Sequence, residues 1–161
     1  MLVLSAVALS WNAMATTDPR AELDFFHGTW TVQGQEATYN ETCAWLPGKG
    51  FLACNAEDRS EKEPSFSMSV FGYSGIDGLY TYTGFDGSGS QRVLRGSHLD
   101  GVWQFFGSSE RGPNWRRWQV TIKPTKAGFS FRQEVSDRGG PWTETVRIEY
   151  VRLGRVSEPS R

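Results

Sequence analysis

The stretch LDFFHGTWTVQG (residues 23–34) decides how this chain is read. It joins a short apolar turn, Leu23, Phe25 and Phe26, to Gly28-Thr29-Trp30, and from Trp30 polar and apolar residues begin to alternate. Alternation with period two is the mark of a strand with one buried face. A glycine two residues before the tryptophan predicts a tight turn that delivers a large buried ring at the start of the first strand.

Working outward, the same alternation recurs to the end of the chain. The segments are TWTVQGQEAT, NETCAWL, FLACNAED, SFSMSVFGY, LYTYTGF, QRVLRGSHL, VWQFFGSS, RRWQVTIKP, GFSFRQEVS and WTETVRIEYVRL. Short connectors rich in Gly, Asp, Pro and Asn separate them, and helical periodicity is nearly absent. Upstream, Asp18 before Pro19 is a cap-then-proline signal for a short helical turn. Strands in strict succession predict an all-β fold: a single up-and-down antiparallel β-barrel of about 8–10 strands, curled shut to remove its edges. The organisation read from the sequence is a signal peptide over 1–15, a linker and short helical turn over 16–27, the barrel over 28–154 and a frayed tail over 155–161.

Parity predicts which side chains point inward. The inward sets are Phe66, Met68 and Val70; Trp118, Val120 and Ile122; Phe129 and Phe131; and Val146, Ile148 and Tyr150. Tyr80 with Tyr82, and Trp103 with Phe105, form two further sets that a bulge would shift.

The 161 residues suit one domain with a core of its own. Seventeen Lys and Arg against eighteen Asp and Glu leave a net charge of −1, with no block of like sign. Such a chain has no field to draw in nucleic acid or an anionic membrane. The segment NWRRWQV does not alter this, because Arg116 and Arg117 adjoin on opposite faces of one strand. Residues 1–15 carry no charge and end in Ala13-Met14-Ala15, a small-x-small cleavage pattern. They lack a positive n-region, and the apolar run is too short for a stable membrane span. The expected location is the periplasm or the outside of the cell.

Cys43 and Cys54 fit an exported chain. A four-residue loop over Pro47–Gly50 pairs Leu46 with Phe51, and counting outward sets Cys43 directly opposite Cys54. Opposed cross-strand positions lie near disulfide range, so a bridge is expected; the alternative is two ordinary buried thiols. Two cysteines without a suitably spaced histidine make no zinc site, so neither metal nor cofactor is expected.

The Gly28-x-Trp30 start and the successive meander strands resemble the lipocalin and fatty-acid-binding superfamily. LDFFHGTWTVQG, YTYTGFDGSG, GVWQF and VTIKPTKAGFSFRQEVSDRGGPWTE are similar to a bacterial family of lipocalin-like (calycin-type) single-domain barrels of unknown function. The resemblance covers most of residues 23–152. It implies that Trp30 plugs one end of the barrel and that Arg152, from EYVRLG, packs across it; a guanidinium on an indole face is a favourable contact. It implies no activity.

No catalytic motif survives inspection. Gly-x-Ser-x-Gly is absent, and GSGS at 87–90 lacks both the helix and the lysine of a phosphate loop and the further ligands of a calcium loop. Weak candidates for acid–base work are Glu36, Glu144 and His27. Glu36 shares parity with Trp30, and Glu144 with Val146; two inward carboxylates could act as acid and base, or each could pair with Arg or Tyr. His27 reads as a turn residue bonding a backbone carbonyl, and His98 as an exposed turn histidine.

The expected function is binding of a small apolar or amphipathic ligand, with Met68, Tyr80, Tyr82, Trp103, Phe105 and Trp118 lining the cavity. The alternatives are a cavity-based isomerase, cyclase or lyase using an internal Glu or Tyr, and a filled structural barrel acting through surface contacts.

Overall fold

In the computed structural model, which describes residues 18–109 and 115–154, Asp18 caps a 3-10 helix, Pro19–Phe25. The Asp18 carboxylate accepts the Arg20 backbone N–H at 3.0 Å, and Pro19 opens the helix at a position where no N–H is needed. The leader over 1–15, the connector over 110–114 and the tail over 155–161 lie outside the described residues. No helix among the described residues is long and apolar enough to cross a membrane.

Ten strands follow: β1 (Gly28–Val32), β2 (Tyr39–Trp45), β3 (Phe51–Asp58), β4 (Ser65–Ser74), β5 (Leu79–Asp86), β6 (Gln91–Leu99), β7 (Val102–Ser109), β8 (Arg116–Pro124), β9 (Gly128–Asp137) and β10 (Thr143–Gly154). Each pairs antiparallel with the next, and β1 pairs with β10, so the meander closes into a barrel without free edges. Gly28 has φ 142°, a conformation open to glycine and strained for other residues, which is why the turn into β1 carries glycine ahead of Trp30. On β6, a Cβ at position 96 would lie 1.8 Å from the Gln104 carbonyl oxygen, so only glycine lets β6 and β7 approach this closely.

The helix fills one end of the barrel. Leu23 and Phe26 are buried there with Trp30, Leu52, Phe71, Tyr80, Trp103, Phe105, Ile122 and Phe129. Phe26 stacks on Phe71 at 4.6 Å and meets Phe129 edge-on at 5.6 Å. Burying a ring or a leucine in this way contributes about 2 kcal/mol each. This half of the barrel is solid.

Three local expectations are corrected by the register. The first strand ends at Val32 rather than running to Thr38, because the Gln35 carbonyl accepts from Thr38 and Tyr39 and turns the chain. On β4 the inward face carries Ser67, Ser69 and Phe71, opposite Ala56, Cys54 and Leu52 of β3. Phe66, Met68 and Val70 therefore face outward, and Phe66 is 59% exposed. Phe71, wedged against Phe26 and Tyr82, fixes this parity against the apolar pattern of its neighbours. On β10 a bulge between Glu144 and Val146 resets the alternation. Glu144 falls on the outer face, exposed and paired with Arg147 at 2.6 Å.

Candidate functional site

β2 places the chemistry. Its hairpin with β3 pairs Cys43 with Cys54, Ala44 with Ala53 and Trp45 with Leu52, the register expected from the Pro47–Gly50 loop. The two cysteines form a disulfide, with Cα atoms 3.9 Å apart, on the inner face of the barrel. Because side chains alternate, Glu41 and Tyr39 share that inner face.

There they join Tyr150 of β10. The Tyr39 hydroxyl donates to Glu41 Oε2 at 2.9 Å and lies 3.3 Å from the Tyr150 hydroxyl. Tyr39 has a single proton and spends it on Glu41, so Tyr150 is the donor to Tyr39. The result is a chain of hydrogen bonds, Tyr150 to Tyr39 to Glu41. The other carboxyl oxygen, Oε1, is 3.9 Å from Cys43 Sγ, which as a disulfide sulfur has no proton to give.

Burial raises the Glu41 pKa above the ordinary carboxyl value, offset in part by the Tyr39 and Tyr150 hydroxyls. Burial also raises Tyr39 and Tyr150, and the nearby Glu41 charge pushes both the same way. Tyr82 of β5 is pushed up to about 12, by burial first and then by Glu41, with Arg92 opposing. Among the described residues no Lys, Arg or His side chain pairs with Glu41, and the Tyr82 hydroxyl has no hydrogen-bond partner.

These groups line a cavity of about 190 Å³ in the half of the barrel away from the helix. Ser67, Ser69 and Ala56 complete its wall, and Asp86, Ser90, Gln91 and Arg92 stand at the rim. A smaller space of about 40 Å³ continues from it down to Phe26, Phe71, Ile122 and Phe129, the top of the packed half. At the rim, Arg92 donates to the Gln133 side-chain carbonyl at 2.7 Å and sits 5.5 Å from the Trp118 ring. Glu41, Cys43 and Cys54 are close enough together to suggest a metal site, but the sulfurs bond each other and leave a single carboxylate.

The residues expected to line a cavity are split between the two halves. Tyr82 lines it. Trp118 stands beside Arg92 on a neighbouring depression at the mouth. Tyr80, Trp103 and Phe105 belong to the packed half. Met68 is on the outward parity of β4, beside Asn55 and Phe85, and is also among the residues that line the cavity. Glu36 sits exposed in the turn after β1, where it accepts the Gly34 N–H at 2.9 Å. It is Glu41, not Glu36 or Glu144, that the fold carries inside. One signal pointed to it: Glu41 lies two residues before Cys43, on the face that the disulfide register turns inward.

The closed end holds the remaining candidates. The Arg152 guanidinium lies 4.0 Å from the Trp30 ring centroid and donates to the carbonyls of His27 at 2.8 Å and Phe25 at 2.6 Å. Trp30 Nε1 donates to the Phe26 carbonyl at 2.7 Å. The His27 ring lies 3.8 Å from the Asp24 carboxylate rather than on a backbone carbonyl. His98 is not an exposed turn residue: it lies within β6, stacks on Trp103 at 4.1 Å and contacts the Glu22 carboxylate. Glu22 also accepts from the Tyr80 hydroxyl at 3.0 Å, so the cluster ties the helix to the wall.

The fold and site together define a closed ten-stranded antiparallel barrel, plugged at one end and hollow at the other, with a disulfide in its inner wall. Compared with protein-family models and with curated proteins, the chain gives no match.

Proposed function

We propose that this protein is a lipocalin-like barrel that binds one small amphipathic molecule in the open half. The observation that carries the reading is the Tyr82 hydroxyl, facing the cavity without a protein hydrogen-bond partner, while Glu41 beside it has no cation among the described residues. Polar groups that converge on a concave site without protein partners are the groups a ligand would engage. A volume of about 190 Å³ suits a single-ring compound rather than a long fatty chain. The polar lining favours an amphipathic occupant over a purely apolar one. The filled-barrel alternative describes the plugged half alone.

A second reading, acid–base catalysis in the same cavity, has the raised Glu41 carboxyl and its tyrosine chain in its favour. The reading of the chain as periplasmic or secreted rests on the leader pattern and the disulfide. Native mass spectrometry of protein purified from its own host's envelope tests the binding reading. A mass that leaves on mild denaturation supports it. A bare chain, with no change in tryptophan emission on titration with small amphipathic compounds, overturns it.

A further inference from the structure

We infer that the ligand is a small organic amine, bound as its ammonium ion with Glu41 as counter-ion. This rests on the binding reading above and names its chemical class.

Three observations converge. First, Glu41 is an interior carboxyl held by tyrosine hydroxyls, and among the described residues it has no ion-pair partner. A buried carboxylate without a counter-charge is costly, and an ammonium group supplies that charge. Second, the acceptors match. An ammonium group offers only donors. Glu41 Oε1, which accepts no N–H or O–H, the unpartnered Tyr82 oxygen and the inward Ser69 of the same wall offer acceptors. Third, the Tyr39, Tyr82 and Tyr150 rings surround the carboxyl, with Phe71 and Phe129 beneath. Aromatic faces stabilise a desolvated cation.

An anionic ligand would meet Glu41 as a like charge. Among the described residues lining the cavity the one cation is Arg92, which stands at the rim, donates to Gln133 and lies near the Trp118 ring. A neutral ligand would sit beside the protonated carboxyl and make no use of its charge.

The groups facing Glu41 set the pH behaviour. They are Tyr39 on its own strand, Tyr150 on β10, Tyr82 on β5, Arg92 on β6 and Asp86 at the rim of β5, with Asp58 of β3 near Tyr39. The tyrosines stay protonated through neutral pH, so the carboxyl and the amine are the partners that titrate on binding. Affinity then rises as pH passes up through the Glu41 midpoint and falls once the amine loses its proton.

The test compares three single-ring probes by calorimetry on the full chain: phenethylamine, phenethyl alcohol and hydrocinnamate. Phenethylamine is expected to bind at least about tenfold tighter than the alcohol, the acid not at all. Glu41→Gln is expected to weaken the amine about thirtyfold or more and to spare the alcohol. Should that variant fold poorly, carbon-13 NMR of the native protein serves: amine binding lowers the Glu41 titration midpoint. If the alcohol or the acid binds as tightly as the amine, the ammonium assignment is overturned and the binding reading stands. Silence from all three probes with an unmoved Glu41 signal also overturns it, and a bare chain in the native mass spectrum then removes the binding reading as well.

Discussion

The Tyr39 hydroxyl lies 3.3 Å from that of Tyr150, two side chains more than a hundred residues apart that meet only because β1 and β10 close the barrel. Their contact fixes the direction of the hydrogen bonds ending at Glu41 and makes the state of that carboxyl a property of the closed fold.

Stability should therefore carry a pH signature from Glu41. Its folded pKa is raised above the ordinary value of 4.5. A raised carboxyl pKa favours the folded state while the group is protonated, so this contribution is full below the unfolded pKa. It is lost as pH rises through the folded midpoint. Glu41→Gln removes the dependence. The difference between the urea midpoints of the variant and the native chain is expected to grow in favour of the variant from pH 4 toward neutrality. A difference that stays flat would mean that Glu41 is solvated.

Arg152→Ala should loosen the plugged end. It removes the contact with Trp30 and leaves the His27 and Phe25 carbonyls without their donor. The expected loss is about 3 kcal/mol in urea unfolding. Arg152→Lys should recover only part of it, since an ammonium group cannot cover the indole and reach both carbonyls as a planar fork does.

The disulfide closes a short loop, eleven residues in sequence separation. Reduction, or replacement of Cys43 and Cys54 by Ala, should cost about 2–3 kcal/mol. Thermal melts with and without reductant measure this, and an intact mass lighter by a pair of hydrogens verifies the bridge.

Gly96→Ala tests the strand approach. The added methyl would sit 1.8 Å from the Gln104 carbonyl oxygen, so β6 and β7 must part. Destabilisation of about 3 kcal/mol is expected. A mild effect would show that this wall of the barrel yields easily.

The expected barrel and the Cys43–Cys54 bridge were legible because alternation, short connectors and a tight hairpin are local signals. The interior was legible only strand by strand. Trp103 and Phe105 were placed inside, yet no sequence rule said that they belong to the plugged half. The outward turn of Met68 and Glu144 escaped for two physical reasons. On β4 the packing of a single ring, Phe71, against Phe26 and Tyr82 outweighs the apolar set Phe66, Met68 and Val70. On β10 one extra residue in a bulge reverses parity. Glu41 could have been found by carrying the disulfide register two residues back along β2. The clasp of Glu22 with His98 and Tyr80 joins segments far apart in the chain and left no local trace.

The division of the barrel into a solid half and a hollow half has an evolutionary reading. Substitutions at Ser67, Ser90 or Gln91 touch the wall and rim of the cavity and not the aromatic pack around Trp30 and Phe26. Changes of taste at the mouth are thus uncoupled from changes of strength at the base. Such a scaffold can be retuned toward new small molecules, by selection or in the laboratory, while its folding is underwritten by residues that never meet them.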